Sequence, residues 1–564
     1  MTLKTTQLRD AITFALAVGT TAAAGTGIAF AQEGEKATTL DRIEVTGSRI
    51  KRADIETSQP IFSLSRDDIS AQGLTSVGDV IQNITANGST LNSTYNNGGN
   101  GETRVSLRNL GSNRTLVLVN GKRWVGGTGL GGAVDLNTIP TAAVERIEVL
   151  KDGASTIYGS DAIAGVVNVI LRSNFEGAEA NAYIGQYDKG DGTRQSYDFI
   201  IGTSGDRFSA MLGYGYVKEE PVMAGDRYIS KEPTYTTGNQ LGSGTSPNGR
   251  FALCSGVYDP SLRMCRFADS RDVTGPDDVP DGVIDTAPMQ NFDGLPGTWT
   301  YDGAGTAARP YVPGADAYNF APENYLLTPQ ERRSVFGNAT ADVTDNIRFK
   351  TTVTYNERVS EQLLAAMPVT LAGAPGATTI GQGIFISRNS IYNPYGGSAT
   401  ADPNDGLDVG RINRRITETG GRSFVQDVRT FAMNAGFEGT FNFGEKYYDW
   451  EAGYFRGQNK ANNTTHGLFN MSALSQALGP SFIAADGTPT CGTVASPITG
   501  CVPMNMLGGV GGITQEMLDF ASFTAHDEYS YTQKNYYANL SGELFSLPGG
   551  PLGFSFGLEH RTED

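Results

Sequence analysis

The chain has 564 residues, 72 of them glycine, with 18% charged side chains, which is too long for one ordinary domain and too regularly patterned for a disordered one. Its net charge of -17 and pI near 4.8 argue against nucleic acid as a partner, since phosphate recognition requires clustered Lys and Arg. At the N-terminus, Lys4 and Arg9 precede a mostly small and apolar run, Ala11 to Ala24, and Ala29-Phe30-Ala31 fits a small-residue cleavage site. That order predicts a secretory signal peptide over residues 1–31. The run is interrupted by Thr13, Gly19, Thr20 and Thr21, and it falls short of the roughly 20 strongly apolar residues that a spanning helix needs. Elsewhere no apolar run is long enough for a helix, so any membrane insertion must use a closed barrel.

Residues 32–55 read as a flexible lead. Within it, about 41–48, Ile43-Glu44-Val45-Thr46-Gly47 alternates apolar and polar side chains, as an extended edge with free backbone groups would. From about Glu56 to Arg172 the pattern is that of a compact α+β domain. Ser65-Arg66-Asp67-Asp68-Ile69 has the form of a capped helix start, and Val77 to Ile81 continues an amphipathic pattern. Leu116 to Val119 is closed by Asn120-Gly121, a strong hairpin signal. Ile147 and Val149 alternate with Glu148, Tyr158-Gly159 and Gly165 mark turns, and Val166 to Ile170 suits a buried strand. Asn92 to Gly101 and Trp124 to Gly132 are Gly-rich loops, mobile connections by default.

The blocks RVSLRNLGSNRTLVLVNGKRW and VDLNTIPTAAVERIEVLKDGASTIYGSDAIAGVVNVILR, in that order, resemble the plug of TonB-dependent outer-membrane receptors. The resemblance implies several expectations. Ile43 to Gly47 resembles the TonB box, which pairs as an added strand with the periplasmic TonB protein. The two Gly-rich loops correspond to plug apices, making Tyr95, Asn96, Asn97, Arg123 and Trp124 candidate ligand contacts. Glu145, Arg146, Glu148 and Lys151 fall where the plug is expected to pack against the barrel. One departure is Arg108-Asn109, where many relatives have Arg-Gly; Asn tolerates the left-handed backbone better than most residues.

Beyond Arg172 the period changes to two. Phe208, Ala210, Leu212, Tyr214 and Tyr216 share one face, with Ser209, Met211, Gly213 and Gly215 on the other, as in a lipid-facing barrel strand. Similar stretches recur at Ile347 to Tyr355, Phe431 to Phe441, Tyr448 to Tyr454, Tyr536 to Leu544 and Leu552 to Leu558. A soluble sandwich also alternates, but the joins discriminate. Tight turns at Ser204-Gly205-Asp206, Thr344-Asp345-Asn346, Asn442-Phe443-Gly444 and Pro548-Gly549-Gly550 alternate with long loops from Val217 to Gln330, onward to Gly421, and from Lys460 to Tyr529. All the long loops therefore fall on one side, the extracellular side of an outer-membrane barrel.

The expected fold class is thus a membrane β-barrel with an N-terminal α+β plug, in the outer membrane of a Gram-negative cell. About nine strands are legible, against about 22 in plugged transporters, so the sheet over 173–564 is expected to be incomplete and open around the plug. The four cysteines form two local couples, Cys254 with Cys265 and Cys491 with Cys501, read as disulfides of an exported chain; spacing leaves cross-pairing open. Zinc is disfavoured because no His stands near them. His466, His526 and His560 are scattered, with His560 expected at the lumen or rim, and the acidic turn Asp277 to Asp285 lacks key ligands of a calcium loop. The expected activity is receptor-mediated import of a siderophore, vitamin, peptide or carbohydrate, with no catalytic residues, cofactor or metal; outer-membrane lipid and TonB are the expected partners. The rival reading is a secreted β-rich adhesin or enzyme. A signal-transducing receptor is disfavoured, since residues 32–39 leave no room for an added domain.

Overall fold

The computed structural model describes residues 61–71, 76–127, 132–233, 242–254, 257–259, 264–267, 285–288, 299–301, 308–371, 384–396, 408–444, 446–548 and 550–564. Between 252 and 288 this description is of the backbone alone. The expected signal peptide, Ile43 to Gly47, residues 277–284 of the acidic turn and the side chains of Cys254 and Cys265 lie outside the described residues.

The first unit is built on a five-stranded mixed sheet in the order β1-β4-β5-β2-β3, with β1 Ile61–Ser65, β2 Thr115–Val119, β3 Lys122–Arg123, β4 Val144–Leu150 and β5 Gly165–Leu171. Only β2 and β5 run parallel, and both are apolar runs because both faces of the sheet are covered. Asn120 and Gly121 join β2 to β3 with φ of 48° and 72°, the left-handed pair that a two-residue hairpin requires. The helix Val77–Gln82 buries Val77, Val80 and Ile81, and the Ser76 side chain accepts from Asp79 N at 2.9 Å, a cap that contributes about 1 kcal/mol. Arg108 and Asn109 both have positive φ, 55° and 58°; the left-handed turn survives without the glycine. Ile81, Leu107, Leu136, Ile147, Val167 and Val169 form the core.

The second unit is a nine-stranded antiparallel wall in simple meander order. Its first strands are β6 Gly177–Gly185, β7 Arg194–Gly205 and β8 Phe208–Glu219. An outer segment then carries β9 Val222–Met223, β10 Arg250–Cys254, β11 Val257–Asp259, β12 Met264–Phe267, β13 Asp285–Pro288, β14 Trp299–Tyr301, β15 Ala308–Pro310 and β16 Tyr325–Leu327. The wall resumes with β17 Gln330–Thr344 and β18 Ile347–Leu364. After the outer strands β19 Pro368–Leu371 and β20 Asp408–Arg415 come β21 Arg422–Phe443 and β22 Lys446–Phe469. A third outer segment holds β23 Ser481–Ile483, β24 Pro489–Thr493 and β25 Ser496–Pro497, and β26 Ser522–Leu547 and β27 Gly550–Glu563 complete the wall. Tight turns join β7 to β8, β17 to β18, β21 to β22 and β26 to β27, all at one end; the three long connections lie at the other. As expected, the sheet is open: β6 and β27 each have one wall neighbour and do not pair with each other.

Side chains alternate as the period-two pattern requires. Along β8, Phe208, Ala210, Leu212 and Tyr214 are exposed while Ser209, Met211, Gly213 and Gly215 are buried. The outward face continues through Phe199, Ile201, Val335, Tyr355, Phe437, Tyr536, Phe556 and Leu558. On the inward face, Ile200, Met211, Phe336, Ala432 and Phe455 join the core of the first unit, so the plug sits against the wall. His560 pairs in register with the outward-facing Tyr536 and is itself exposed, three residues from the end of β27; of its two expected places, lumen or rim, this excludes the lumen.

Two further corrections concern the long loops. The stretch from Lys460 to Tyr529 is not all loop: β22 runs to Phe469 and β26 begins at Ser522, with Asn462 opposite Glu528 and Thr465 opposite Ala525. A strand crossing a bilayer needs only about 9–11 residues; beyond it neither face need be apolar, so alternation fades although the ladder continues. Nor are the outer segments shapeless. Strands from the first and second combine in one five-stranded sheet, β15-β14-β10-β20-β19, whose Phe251, Leu371, Val409 and Ile412 share a core with Leu474, Met504, Met506 and Leu518 of the third.

Candidate ligand site at the plug apex and outer lid

The apex loop is shaped by its own short polar side chains. Asn92 Oδ1 accepts from Thr94 N at 2.8 Å and from Thr94 Oγ1 at 2.7 Å, an Asx-type turn, and Tyr95 shares a 2.6 Å hydrogen bond with Ser89 Oγ. Gly98 and Gly101 take positive φ, and at Gly101 a Cβ would collide with Ser360 and Arg358 of the wall, so this glycine permits a close approach. Tyr95 and Asn97 are exposed; Asn96 between them is buried, its carboxamide bonded to the backbone of Leu363.

Arg123 and Trp124 are placed elsewhere, against β22 and β26. Arg123 pairs with Asp161 at 2.6 Å and donates to the Tyr158 carbonyl. Trp124 is 6% exposed; its indole N–H donates to Thr138 Oγ1 at 2.9 Å and its ring lies 6.3 Å from that of Phe455. Of the five candidate contacts, the structure brings together Tyr95, Asn96 and Asn97, and sets apart Arg123, whose side chain is held within the plug, and Trp124, which packs against the wall. Beside them Lys122 reaches Glu451 at 2.6 Å over the ring of Tyr537. Arg146 bonds Glu148 at 2.8 Å within β4.

The most buried charges at this junction carry no local sequence signal. Asp135 of the plug and Arg358 of β18 pair at 3.3 Å. Asp135 Oδ1 also accepts from Thr103 N and Asn137 N, both at 3.0 Å. Burial raises the Asp135 carboxyl above the ordinary carboxylate range; Arg358 pulls it down and Glu102 pushes it up. Arg358 also donates to Ser360 Oγ, which continues to Gln426 and Gln362. A pair so thoroughly removed from water adds little net stability, because desolvation offsets its attraction; it fixes the orientation of plug and wall. Burial and Glu219 likewise raise the carboxyl of Asp79.

The outer segments form a lid around β20. Arg414, fully buried, donates to Pro247 O at 3.1 Å in the first segment and to Asn505 O at 2.9 Å and Gly509 O in the third, and pairs with Glu418 of its own at 2.5 Å. Arg415 bonds Ala366 O at 2.7 Å, with the rings of Tyr318 and Phe320 against its guanidinium. Burial depresses both guanidinium pKa values. Cys491 and Cys501 form a disulfide with Cα atoms 5.7 Å apart. Among the described residues no His, Cys, Asp or Glu grouping could hold a metal ion, and no helix is long and apolar enough to cross a membrane. The apex loop thus leaves Tyr95 and Asn97 exposed beside the strand end, Leu363 to Ala366, that Arg415 of the lid also bonds.

Residues 53–166 match the family described as TonB-dependent Receptor Plug Domain. Solved structures similar to this chain include the siderophore receptor PiuA from Acinetobacter baumannii, at 14% identity over 90% of this chain and 62% of that one, with a TM-score of 0.34. The siderophore receptor PirA from the same organism matches at 14% identity over 89% of this chain and 48% of that one, TM-score 0.41. The ferric-catecholate import receptor Fiu from E. coli K12 matches at 13% identity over 90% of this chain and 66% of that one, TM-score 0.32. The chain thus spans about half to two thirds of the length of these receptors.

Proposed function

We propose that this chain, a TonB-dependent receptor by its plug domain, lies in the outer membrane, binds an extracellular nutrient and passes it to the periplasm. The observation that carries the reading is the plug held against a wall that turns apolar side chains outward and gathers its long connections into a lid at one end. In this reading residues 1–31 are an export signal, 32–55 a lead, 56–172 the plug and 173–564 barrel wall. Cargo meets the lid and the exposed Tyr95 and Asn97, and no bond in it is made or broken. Force enters through Ile43 to Gly47, which adds as a strand to TonB by backbone hydrogen bonds. A siderophore, vitamin, peptide or carbohydrate would suit an apex rich in amide and hydroxyl groups.

The test is growth of a deletion strain on a panel of iron and carbon sources, with and without the restored gene. Val45→Pro removes a backbone donor from the added strand and is expected to abolish restored growth while leaving the protein in the outer membrane. Undiminished growth with that variant contradicts TonB coupling, and equal growth of deletion and wild type on every source contradicts import.

A further inference from the structure

One side chain of the plug completes the edge of a wall strand. Asn96 Nδ2 donates to the Leu363 carbonyl at 2.6 Å, and the Leu363 amide donates back to Asn96 Oδ1 at 3.0 Å. The reason lies in the register of the wall. β17 begins at Gln330 opposite Ser360, whereas β18 continues to Leu364 and pairs there only with β21. Past Glu361 no strand among the described residues pairs with the other edge of β18, and such an edge presents unpaired backbone groups. The carboxamide of Asn96 offers one donor and one acceptor in the place a neighbouring strand would. Nearby, Thr328 N and Oγ1 both donate to the Ser93 carbonyl, at 2.8 and 3.0 Å, so the apex loop is tied on both sides of Tyr95.

The same strand end also holds the lid. The Ala366 carbonyl accepts from Arg415 of β20 at 2.7 Å, while the Ala365 carbonyl just before it accepts at 3.0 Å from Nε of Arg422, the first residue of β21. Plug apex and lid are therefore both fastened to Leu363–Ala366, and their separation is set there. Tyr95 and Asn97, flanking the clamp, are exposed while Asn96 is 8% exposed.

We propose that Asn96 is a positioning residue: by clamping Leu363 it holds Tyr95 and Asn97 at a fixed place beneath the lid, where cargo meets them. The inference rests on the proposed import function for its cargo, but not for its geometry. It assigns Asn96 a role distinct from direct cargo contact, because its carboxamide is held against the Leu363 backbone and the residue is only 8% exposed.

The experiment uses the full chain in detergent micelles with a nitroxide attached at Asn97→Cys. Asn96→Ala is expected to free the label, and to speed exchange of the Leu363 amide about five- to tenfold relative to wild type at the same pH, the loss of one hydrogen bond. Asn96→Asp separates the clamp from mere packing. As a carboxylate it has no donor for the Leu363 carbonyl, and as the neutral acid it regains one. Its label should be mobile at about pH 7 and restrained at about pH 2.5, well below the ordinary Asp pKa of about 3.9. In cells, Asn96→Ala should raise the nutrient concentration for half-maximal growth while leaving the maximal rate unchanged. A label equally restrained in Asn96→Ala and wild type, or an Asn96→Asp variant indifferent to pH, overturns the clamp whether or not the chain imports anything. A freed label with an unaltered half-maximal concentration overturns its role in presenting cargo contacts.

Discussion

Asp135 and Arg358 face each other at 3.3 Å across the junction of plug and wall, each 1% exposed. Neither is open to water, so each is the other's opposite charge, beside the backbone N–H bonds to Asp135 and the Ser360 hydroxyl on Arg358. The two are unequal, however: a carboxyl can take up a proton and become neutral, whereas a guanidinium does not release one.

Replacing Arg358 by Gln strands the buried carboxylate. Denaturant unfolding should report a loss of about 3–5 kcal/mol near pH 8, shrinking as the pH falls and Asp135 takes up a proton. Adding Asp135→Asn to that variant should restore most of the loss, since both buried charges are then gone. A single variant as stable as wild type at high pH would contradict the pairing.

The pH dependence follows from the sign of the shift. Burial raises the folded pKa of Asp135 above its ordinary 3.8, so the folded state holds the proton more tightly. Its contribution to stability is complete below 3.8 and is lost as pH rises through the raised value. Relative to Asp135→Asn, the wild type should therefore weaken with rising pH in that window. A pH-independent difference between the two would refute the assignment.

Arg414 joins all three outer segments. Arg414→Ala should expose residues 242–254 and 500–511 to protease while the wall strands β17, β18, β21 and β22 remain as resistant as in wild type. Unchanged cleavage of these segments would mean that the apolar core alone holds the lid.

Reduction of Cys491–Cys501 should loosen the surrounding hairpin by about 2–4 kcal/mol without disturbing plug or wall. Hydrogen exchange over 480–501 is the readout. Faster exchange throughout β21 and β22 would contradict that separation.

Leu212 is 56% exposed on the outward face. In lipid, Leu212→Arg should cost about 2–4 kcal/mol at mid-depth and lower the folded yield in vesicles, with Leu212→Phe well tolerated. Equal yields from the two would indicate a water-facing wall.

Much of this architecture was readable from residue order. The Asn120-Gly121 hairpin, the buried run of β5 and the outward Phe208, Leu212 and Tyr214 each depend on neighbours two to four positions away, where local sterics and burial write a period. The tight turns likewise revealed which end carries the long connections. What escaped was every relationship closed by tertiary contact. Nothing around Asp135 announces Arg358, and nothing in the Gly-rich loop announces that the Asn96 carboxamide is bonded to the Leu363 backbone. The lid core was missed because its apolar residues come in short pieces from three segments, none long enough to show a period. The outer parts of β22 and β26 escaped for the opposite reason, since pairing persists there without burial.

The shared core beneath β20 has a consequence for how the outer segments can be exchanged. Separate loops could be replaced one at a time with those of another protein. Here Phe251, Ile412 and Leu518 arrive from different connections yet pack into one interior, so a foreign segment would bring side chains cut to fit absent neighbours. Workable chimeras must exchange all three connections as a set.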